Sequence, residues 1–283
     1  MSGREHGSDG WQLADSGPEA YERYLVPALF APWADLLVEY ADLHPGERVL
    51  DVGCGTGIVA RRAASQVRDD GVVVGLDINE AMLDVARETS SEVRPAIEWR
   101  LGDATDVPFG DESFDVVFCQ QALQFVPDPA AALREMHRVL SPGGRLVVGV
   151  LRSLEFNHPY VVLADALATH VSEEAAETMR SPFPDWGATA IRALIEDADF
   201  RAVTILIDIR SLRYPSAEEF LRREAASSPL AGHLAEATSS VRSAIIEDLE
   251  TELEEYTDDR GIVFPIETYV AIARREPRET APR

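Results

Sequence analysis

Apolar positions along this chain follow two rhythms. Between residues 48 and 151 they gather in short, mostly unbroken runs near 49–52, 72–76, 97–101, 114–119 and 145–150. Stretches with apolar residues three or four positions apart, among them 58–67, 80–88 and 133–139, lie between these runs. Short apolar runs alternating with amphipathic stretches indicate parallel strands buried on both faces and joined through helices. Right-handed crossovers are expected, giving an open α/β sheet with helices on both sides.

Outside that block the rhythm is mainly helical. Residues 17–40 carry Tyr21, Tyr24, Leu25, Leu29, Trp33, Leu36, Leu37 and Tyr40 at helical spacing, interrupted by Pro27 and Pro32. Two or three short helices are expected there, since proline ends or kinks a helix. Residues 152–186 hold an apolar-periodic stretch at 161–171, after which a helix at 189–198 and a strand at 203–212 resume the sheet pattern. Residues 216–256 turn helical again and are very acidic at 247–255; the acidic run 247–259 reads as a solvated helix face, and 262–273 reads as a last strand.

The most informative stretch is Val49, Leu50, Asp51, Val52, Gly53, Cys54, Gly55, Thr56, Gly57. A buried strand reaches a carboxylate, and glycines follow at alternate positions. Glycine allows backbone conformations other residues avoid and lets a ligand approach the main chain. The helix behind the turn offers unpaired N–H groups to something negative. The spacing is not the G-x-G-x-x-G of dinucleotide sites. Asp51 would also repel a pyrophosphate while suiting a cationic group. Later strands end in polar residues too: Asp77, then Gly102, Asp103 and Ala104, then Gln120. Asp77 stands where a carboxylate takes ribose hydroxyls; alternatively Asp77 or Asn79 caps the helix at 80–88.

Residues 49–57 resemble motif I of the class I S-adenosylmethionine (SAM)-dependent methyltransferases. The helix–turn–strand from Leu133 to Leu146, with Arg138, Val139, Leu140, Pro142, Gly143 and Gly144, is similar to a block of the same superfamily. The nearest likeness is to the small-molecule branch around the ubiquinone/menaquinone-biosynthesis C-methyltransferases. The resemblance covers roughly the first half of the chain after residue 45. It implies a doubly wound, seven-stranded Rossmann-like sheet whose last strand lies antiparallel beside the one at 203–212. The implied division is a tail and helical leader at 1–47 and a SAM-binding core at 48–151. Helical insertions at 152–186 and 214–260, the latter a substrate lid, interrupt the end of the sheet at 187–213 and 261–275. The implied cofactor is SAM, with S-adenosylhomocysteine as product. Implied cofactor-binding residues are Asp51, Gly53, Gly55, Asp77, Ile78, Met82, Asp103, Ala104 and Gln120, with Asp103 on the adenine amino group. An aromatic of the leader, Tyr21 or Tyr24, is expected at the SAM carboxylate, and Tyr24 stands among the implied cofactor residues.

Charge narrows the partners. Fifty Asp and Glu face 26 basic residues, a net of −24, and every basic residue is Arg. Such a surface repels nucleic-acid phosphates and acidic lipids. No apolar run reaches the ~18–20 residues a spanning helix needs. The expected partner is therefore a small-molecule methyl acceptor, with neither nucleic acid nor membrane, and the protein a monomer or homodimer. The acid-rich, Lys-free pattern is similar to proteins of salt-accumulating halophiles, where screening lengths fall to about 3 Å. A high-GC genome that replaces Lys codons by Arg codons is the alternative. Cys54 and Cys119 suit a reducing cytoplasm and read as small buried residues rather than metal ligands. Residues 1–10 lack a signal-peptide core and, like 278–283, read as a disordered tail.

Methyl transfer chiefly needs alignment, and a general base only for a protonated acceptor. No catalytic residue is assigned; the candidates are His158, His137, Tyr24 and Gln124. Substitutions at Phe156, His158 or Phe220 are expected to impair acceptor turnover and spare SAM binding. Two other functions remain open: a non-catalytic SAM-binding protein, and a nicotinamide-dependent oxidoreductase, which the glycine spacing disfavours.

Overall fold

The computed structural model describes residue 13 and residues 16–278. The expected tail at 1–10 and residues 279–283 lie outside the described residues. Arg278, placed with the second tail, forms an ion pair with Glu112 at 2.6 Å.

One mixed sheet organises the chain. Strands β1 (Arg48–Val52), β2 (Val72–Asp77), β3 (Ile97–Leu101), β4 (Phe114–Gln120) and β5 (Leu140–Leu151) are parallel. β6 (Arg201–Tyr214) and β8 (Gly261–Arg274) complete it, in the order β3-β2-β1-β4-β5-β8-β6. β8 is antiparallel to both its neighbours, as the resemblance implies, and a two-residue strand, β7 (Thr257–Asp258), pairs with its start. β1 and β4 are almost wholly buried, which explains their unbroken apolar sequences.

Helices cover both faces. On one face lie α2 (Ala31–Ala41) and α3 (Ile58–Val67), whose Trp33, Leu37, Ala60, Ala63 and Ala64 are fully buried. On the other lie α5 (Pro129–Val139) and α8 (Ala188–Asp197), packed through Leu133, Met136, Ile191 and Ile195. Asn79 caps α4 (Glu80–Thr89) and Asp128 caps α5, each by accepting backbone N–H bonds. His137, a candidate base, stands edge-on to Phe200 at 5.0 Å between ring centres. Burial there pushes its imidazole pKa down.

The leader departs from expectation. Helix α1 (Gly17–Ala20), a π-helical segment at Tyr21–Phe30 and α2 follow one another without a gap. Pro27 falls inside the π-wound segment and Pro32 in the first turn of α2, where its missing N–H costs nothing. The prolines therefore mark a change of winding rather than breaks. The Pro-Gly-Gly turn expected before the fifth strand is also absorbed: from Phe114 to Val116 two steps along β4 face five along β5, from Leu140 to Arg145. Residues 141–144 form a bulge, with Gly143 at φ +84°.

β6 and β8 outrun β5. Leu151, the end of β5, pairs with Thr268, while residues 263–267 of β8 pair with β6 alone. Helices α6 (His158–His170), α7 (Glu173–Arg180), α9 (Ala217–Ala226), α10 (Leu230–Leu234) and α11 (Ser239–Glu252) share one apolar core with this projecting ladder. Its centre is an aromatic cluster of Tyr160, Phe183, Tyr214, Phe220 and Phe264. Phe220 thus belongs to the core, correcting its expected role in a pocket.

A buried acid completes that cluster. The hydroxyls of Tyr160 and Tyr214 donate to Glu224 Oε1 at 3.3 and 2.7 Å. Burial pushes the Glu224 carboxyl from its ordinary 4.5 up to about 7. A raised folded-state pKa gives stability that is full below the unfolded value and lost as pH climbs through 7. Glu224→Gln keeps an oxygen for the tyrosines and cannot ionise. At pH 8 the variant is expected to be about 3 kcal/mol more stable than the parent, an advantage absent at pH 4.5. Thermal unfolding of both proteins at the two pH values checks this; an unchanged gap would contradict it.

Candidate active site

The glycine turn sits between β1 and α3 and is held from below. The N–H groups of Gly53 and Cys54 both donate to the Leu76 carbonyl, at 2.8 and 3.0 Å. Gly53 has φ +67°, and a Cβ there would stand 2.3 Å from Ala122 Cβ. Gly57 has φ +85° and faces Trp99, whose indole also covers Gly75. At Gly55 a Cβ would meet nothing nearer than Tyr21, at 3.8 Å. Two glycines are therefore required by packing, and the third presents open backbone beside a tyrosine.

Two carboxyl groups converge on this turn from adjacent strands. Asp77 Oδ2 accepts the Gly55 N–H at 2.7 Å, and Oδ1 accepts the Asn79 N–H at 2.8 Å. Asn79, not Asp77, caps α4, so the alternative role for Asp77 falls away. Burial raises the Asp77 pKa. Asp51 is 1% exposed. Its Oδ2 accepts the Ala60 N–H at 3.1 Å, while Oδ1 has no partner. Burial pushes Asp51 up to about 7, partly offset by the Ala60 bond. Thr56 Oγ1 in the same turn is also buried without a partner.

The remaining expected residues are distributed unevenly. Gln120, at the end of β4, donates from Nε2 to the Phe30 carbonyl at 3.0 Å, and its buried Oε1 is unpartnered. Asp103 is exposed past β3 and accepts the Thr105 N–H at 2.7 Å; Ala104 packs against the core beside it. Ile78 is exposed and Met82 is buried on α4. Tyr21 stacks on Phe30 at 4.9 Å, with its hydroxyl pKa raised by burial and then by Asp77. Tyr24 lies elsewhere: its ring meets Arg222 and Arg223 of α9, and its hydroxyl accepts from Arg222 at 3.4 Å. Three residues apart on a π-wound segment, the two tyrosines face different neighbours, and Tyr21, not Tyr24, borders the turn.

Two further candidates follow β5. His158 is exposed at the start of α6, its ring 6.2 Å from that of Tyr256. Phe156 lies under the Arg152 guanidinium, 3.5 Å from its ring centre. Cys54 and Cys119 are buried thiols, and burial pushes Cys119 up to about 12. No single pattern in the sequence exposes the Arg61 clamp. Arg61 binds Glu22 of the leader at 2.8 Å, the Thr56 carbonyl at 2.6 Å and Thr89 at 2.6 Å, tying leader, turn and α4 together.

The residues suit SAM. Asp51 Oδ1 and Gln120 Oε1 are buried acceptors without donors, fit for an ammonium group, and the Gly55 face is open to a ligand.

Residues 50–148 match the family described as methyltransferase domain. The chain is similar to the ubiquinone/menaquinone biosynthesis C-methyltransferase of Ectopseudomonas mendocina, with 36% identity over 61% of this chain and 72% of that enzyme. It is also similar to the 2-phytyl-1,4-naphtoquinone methyltransferase of Synechococcus elongatus, with 38% identity over 45% of this chain and 54% of that enzyme. The chain spans about half the length of most of these curated relatives. Among solved structures, Haemonchus contortus phosphoethanolamine N-methyltransferase 2 with S-adenosyl-L-methionine superposes with a TM-score of 0.59 at 20% identity, over 94% of this chain and 58% of that one. The Bacillus YcgJ protein gives 0.58 at 19% identity, over 86% and 97%. At these identities the structural likeness speaks for the fold alone.

Proposed function

The chain belongs to the class I SAM-dependent methyltransferases, and from that premise we propose that it transfers the methyl group of SAM to a small, partly apolar molecule. The observation that carries this is the pair of carboxyl groups, buried Asp51 and half-buried Asp77, directed at an open glycine turn. Bound SAM supplies a methyl group on a sulfonium, which leaves as a neutral sulfide. The chain's own residues bind and align. Asp77 has lone pairs beyond those given to Gly55 and Asn79, and these take the ribose hydroxyls. Asp51 and Gln120 accept from the ammonium, Tyr21 covers the carboxylate end, and Asp103 meets the adenine amino group beside Ile78, Met82 and Ala104.

In this proposal residues 48–151, with Tyr21 of the leader, hold the cofactor, and the helices within 152–186 and 214–260 select the acceptor. The quinone substrates in the relatives' names favour an aromatic, partly apolar acceptor. Burying it contributes near 25 cal/mol per Å² of apolar area, before association costs. No helix among the described residues is long and apolar enough to cross a membrane. With the strongly acidic charge, this favours a small molecule over nucleic acid or lipid, and a cytoplasmic setting. Incubation with SAM and a panel of aromatic acceptors, read by mass spectrometry, tests the activity. The expected result is one added methyl group and matching S-adenosylhomocysteine; SAM binding with no methylated product would favour a non-catalytic role.

The charge supports a salt-adapted protein. A net of −24 without lysine repels itself at low ionic strength, and salt screens that repulsion. The melting temperature is expected to climb from low salt to molar KCl; a flat or falling midpoint would contradict adaptation to salt.

A further inference from the structure

Three glutamines crowd the rim next to the glycine turn. Gln120 ends β4, Gln121 follows it, and Gln124 lies in the short 3-10 turn Leu123–Phe125. A Cβ added at Gly149 of β5 would stand 3.6 Å from Gln121 Nε2 and 3.8 Å from Gln120 Cγ, so both side chains lie over that glycine. Ala122, in the same segment, abuts Gly53. The cluster therefore borders the proposed cofactor site on the side of β5 and β8, at the carboxyl ends of the parallel strands where ligands of such sheets bind.

The direction of its hydrogen bonds is set by backbone carbonyls. Thr268 of β8 is fully buried, and its hydroxyl donates to the Val150 carbonyl at 2.7 Å. A carbonyl can only accept, so the Thr268 oxygen is left to accept in turn, and it receives Gln121 Nε2 at 2.8 Å. Gln121 must then turn its Oε1 the other way, where Gln124 Nε2 donates to it at 3.3 Å. The chain ends on Gln124 Oε1, a buried oxygen with no partner. At Gln120 the Phe30 carbonyl claims Nε2 in the same manner and leaves Oε1. Among the described residues, the unpartnered buried atoms of this rim are thus the two amide oxygens, and a ligand without a donor leaves them unpaired, which is costly in a buried site.

We propose that Gln124 is a specificity-determining residue that selects methyl acceptors bearing an O–H or N–H donor, with Gln121 and Thr268 as positioning residues that fix its orientation. The proposal rests on the methyltransferase reading above and deepens it. Gln120 Oε1 serves the cofactor ammonium, and Gln124 Oε1, one step further along the rim, accepts from the acceptor molecule. A site built to hydrogen-bond a donor rejects the analogue that lacks it far more strongly than an apolar pocket rejects a missing methylene.

The test uses the full chain saturated with S-adenosylhomocysteine, so that binding is read without turnover. Calorimetry compares naphthol with its methyl ether, and naphthylamine with its dimethyl derivative. The donor-bearing member of at least one pair is expected to bind at least tenfold more tightly; which pair responds separates hydroxyl from amine. Gln124→Leu is expected to bring that ratio close to one while S-adenosylhomocysteine affinity stays unchanged. Thr268→Val frees the Gln121 amide to turn over and should narrow the ratio without removing Gln124. Equal affinity within both pairs, binding of neither member, or a ratio untouched by Gln124→Leu would each overturn the proposal. Failure to bind S-adenosylhomocysteine at all would instead strike the methyltransferase reading beneath it.

Discussion

Alanine in place of Asp77 is expected to weaken SAM binding by at least a hundredfold. From position alone the carboxylate stands for one charge-assisted bond to the ribose, about 1.5–3 kcal/mol. The structure adds a second duty, because the same carboxylate holds the Gly55 and Asn79 N–H groups at 2.7 and 2.8 Å. Removing it frees the turn as well as the ribose contact, so the combined loss exceeds ~3 kcal/mol, or a factor above a hundred. Asp77→Asn, which keeps one acceptor oxygen, should lose less. Calorimetric titration of both folded variants checks the order; unchanged affinity in Asp77→Ala would remove Asp77 from the site.

The second large effect is a pH dependence of SAM affinity. Burial pushes Asp51 up to about 7 in the free protein. Its unpartnered Oδ1 is proposed to meet the cofactor ammonium, which favours the ionised carboxylate and lowers its pKa in the complex. Below pH 7 the carboxyl must therefore lose a proton for binding, and affinity should fall by up to about tenfold per pH unit. Above pH 8 the curve should level. Asp77 is also raised by burial, so Asp51→Asn is needed to isolate the effect, and that variant should bind weakly with a flatter profile. Titrations from pH 5.5 to 8.5 decide it; a flat parental curve, or the same slope in the variant, would contradict the role of Asp51.

The five parallel strands and the glycine turn are legible in the sequence because their determinants are local. Each strand is an apolar run buried on both faces, and Gly53 and Gly57 occupy left-handed backbone that suits glycine. The leader was less legible. Pro27 and Pro32 read as breaks, yet packing of Trp33 and Leu37 on the sheet holds the three helical segments in one continuous run. The same winding separates Tyr21 from Tyr24, a distinction that helical spacing cannot make. Phe220 and Phe156 look alike as aromatic residues within insertions; only the fold reveals that one fills a core and the other lies under Arg152. The orphan oxygens of Gln120 and Gln124 depend on Phe30, Val150 and Thr268, residues up to about 150 positions away, and no local pattern in the sequence encodes such a network.

The central claim is that the Gly53–Gly57 turn, with Asp51 and Asp77, is a SAM site. Its most direct test is calorimetric titration of the full chain at pH 8 in high salt with SAM, and in parallel with NADH. The expected result is saturable binding of SAM at one site per chain with a micromolar dissociation constant, and no heat of binding from NADH. A folded protein that bound NADH, or that gave no heat with SAM, would contradict it.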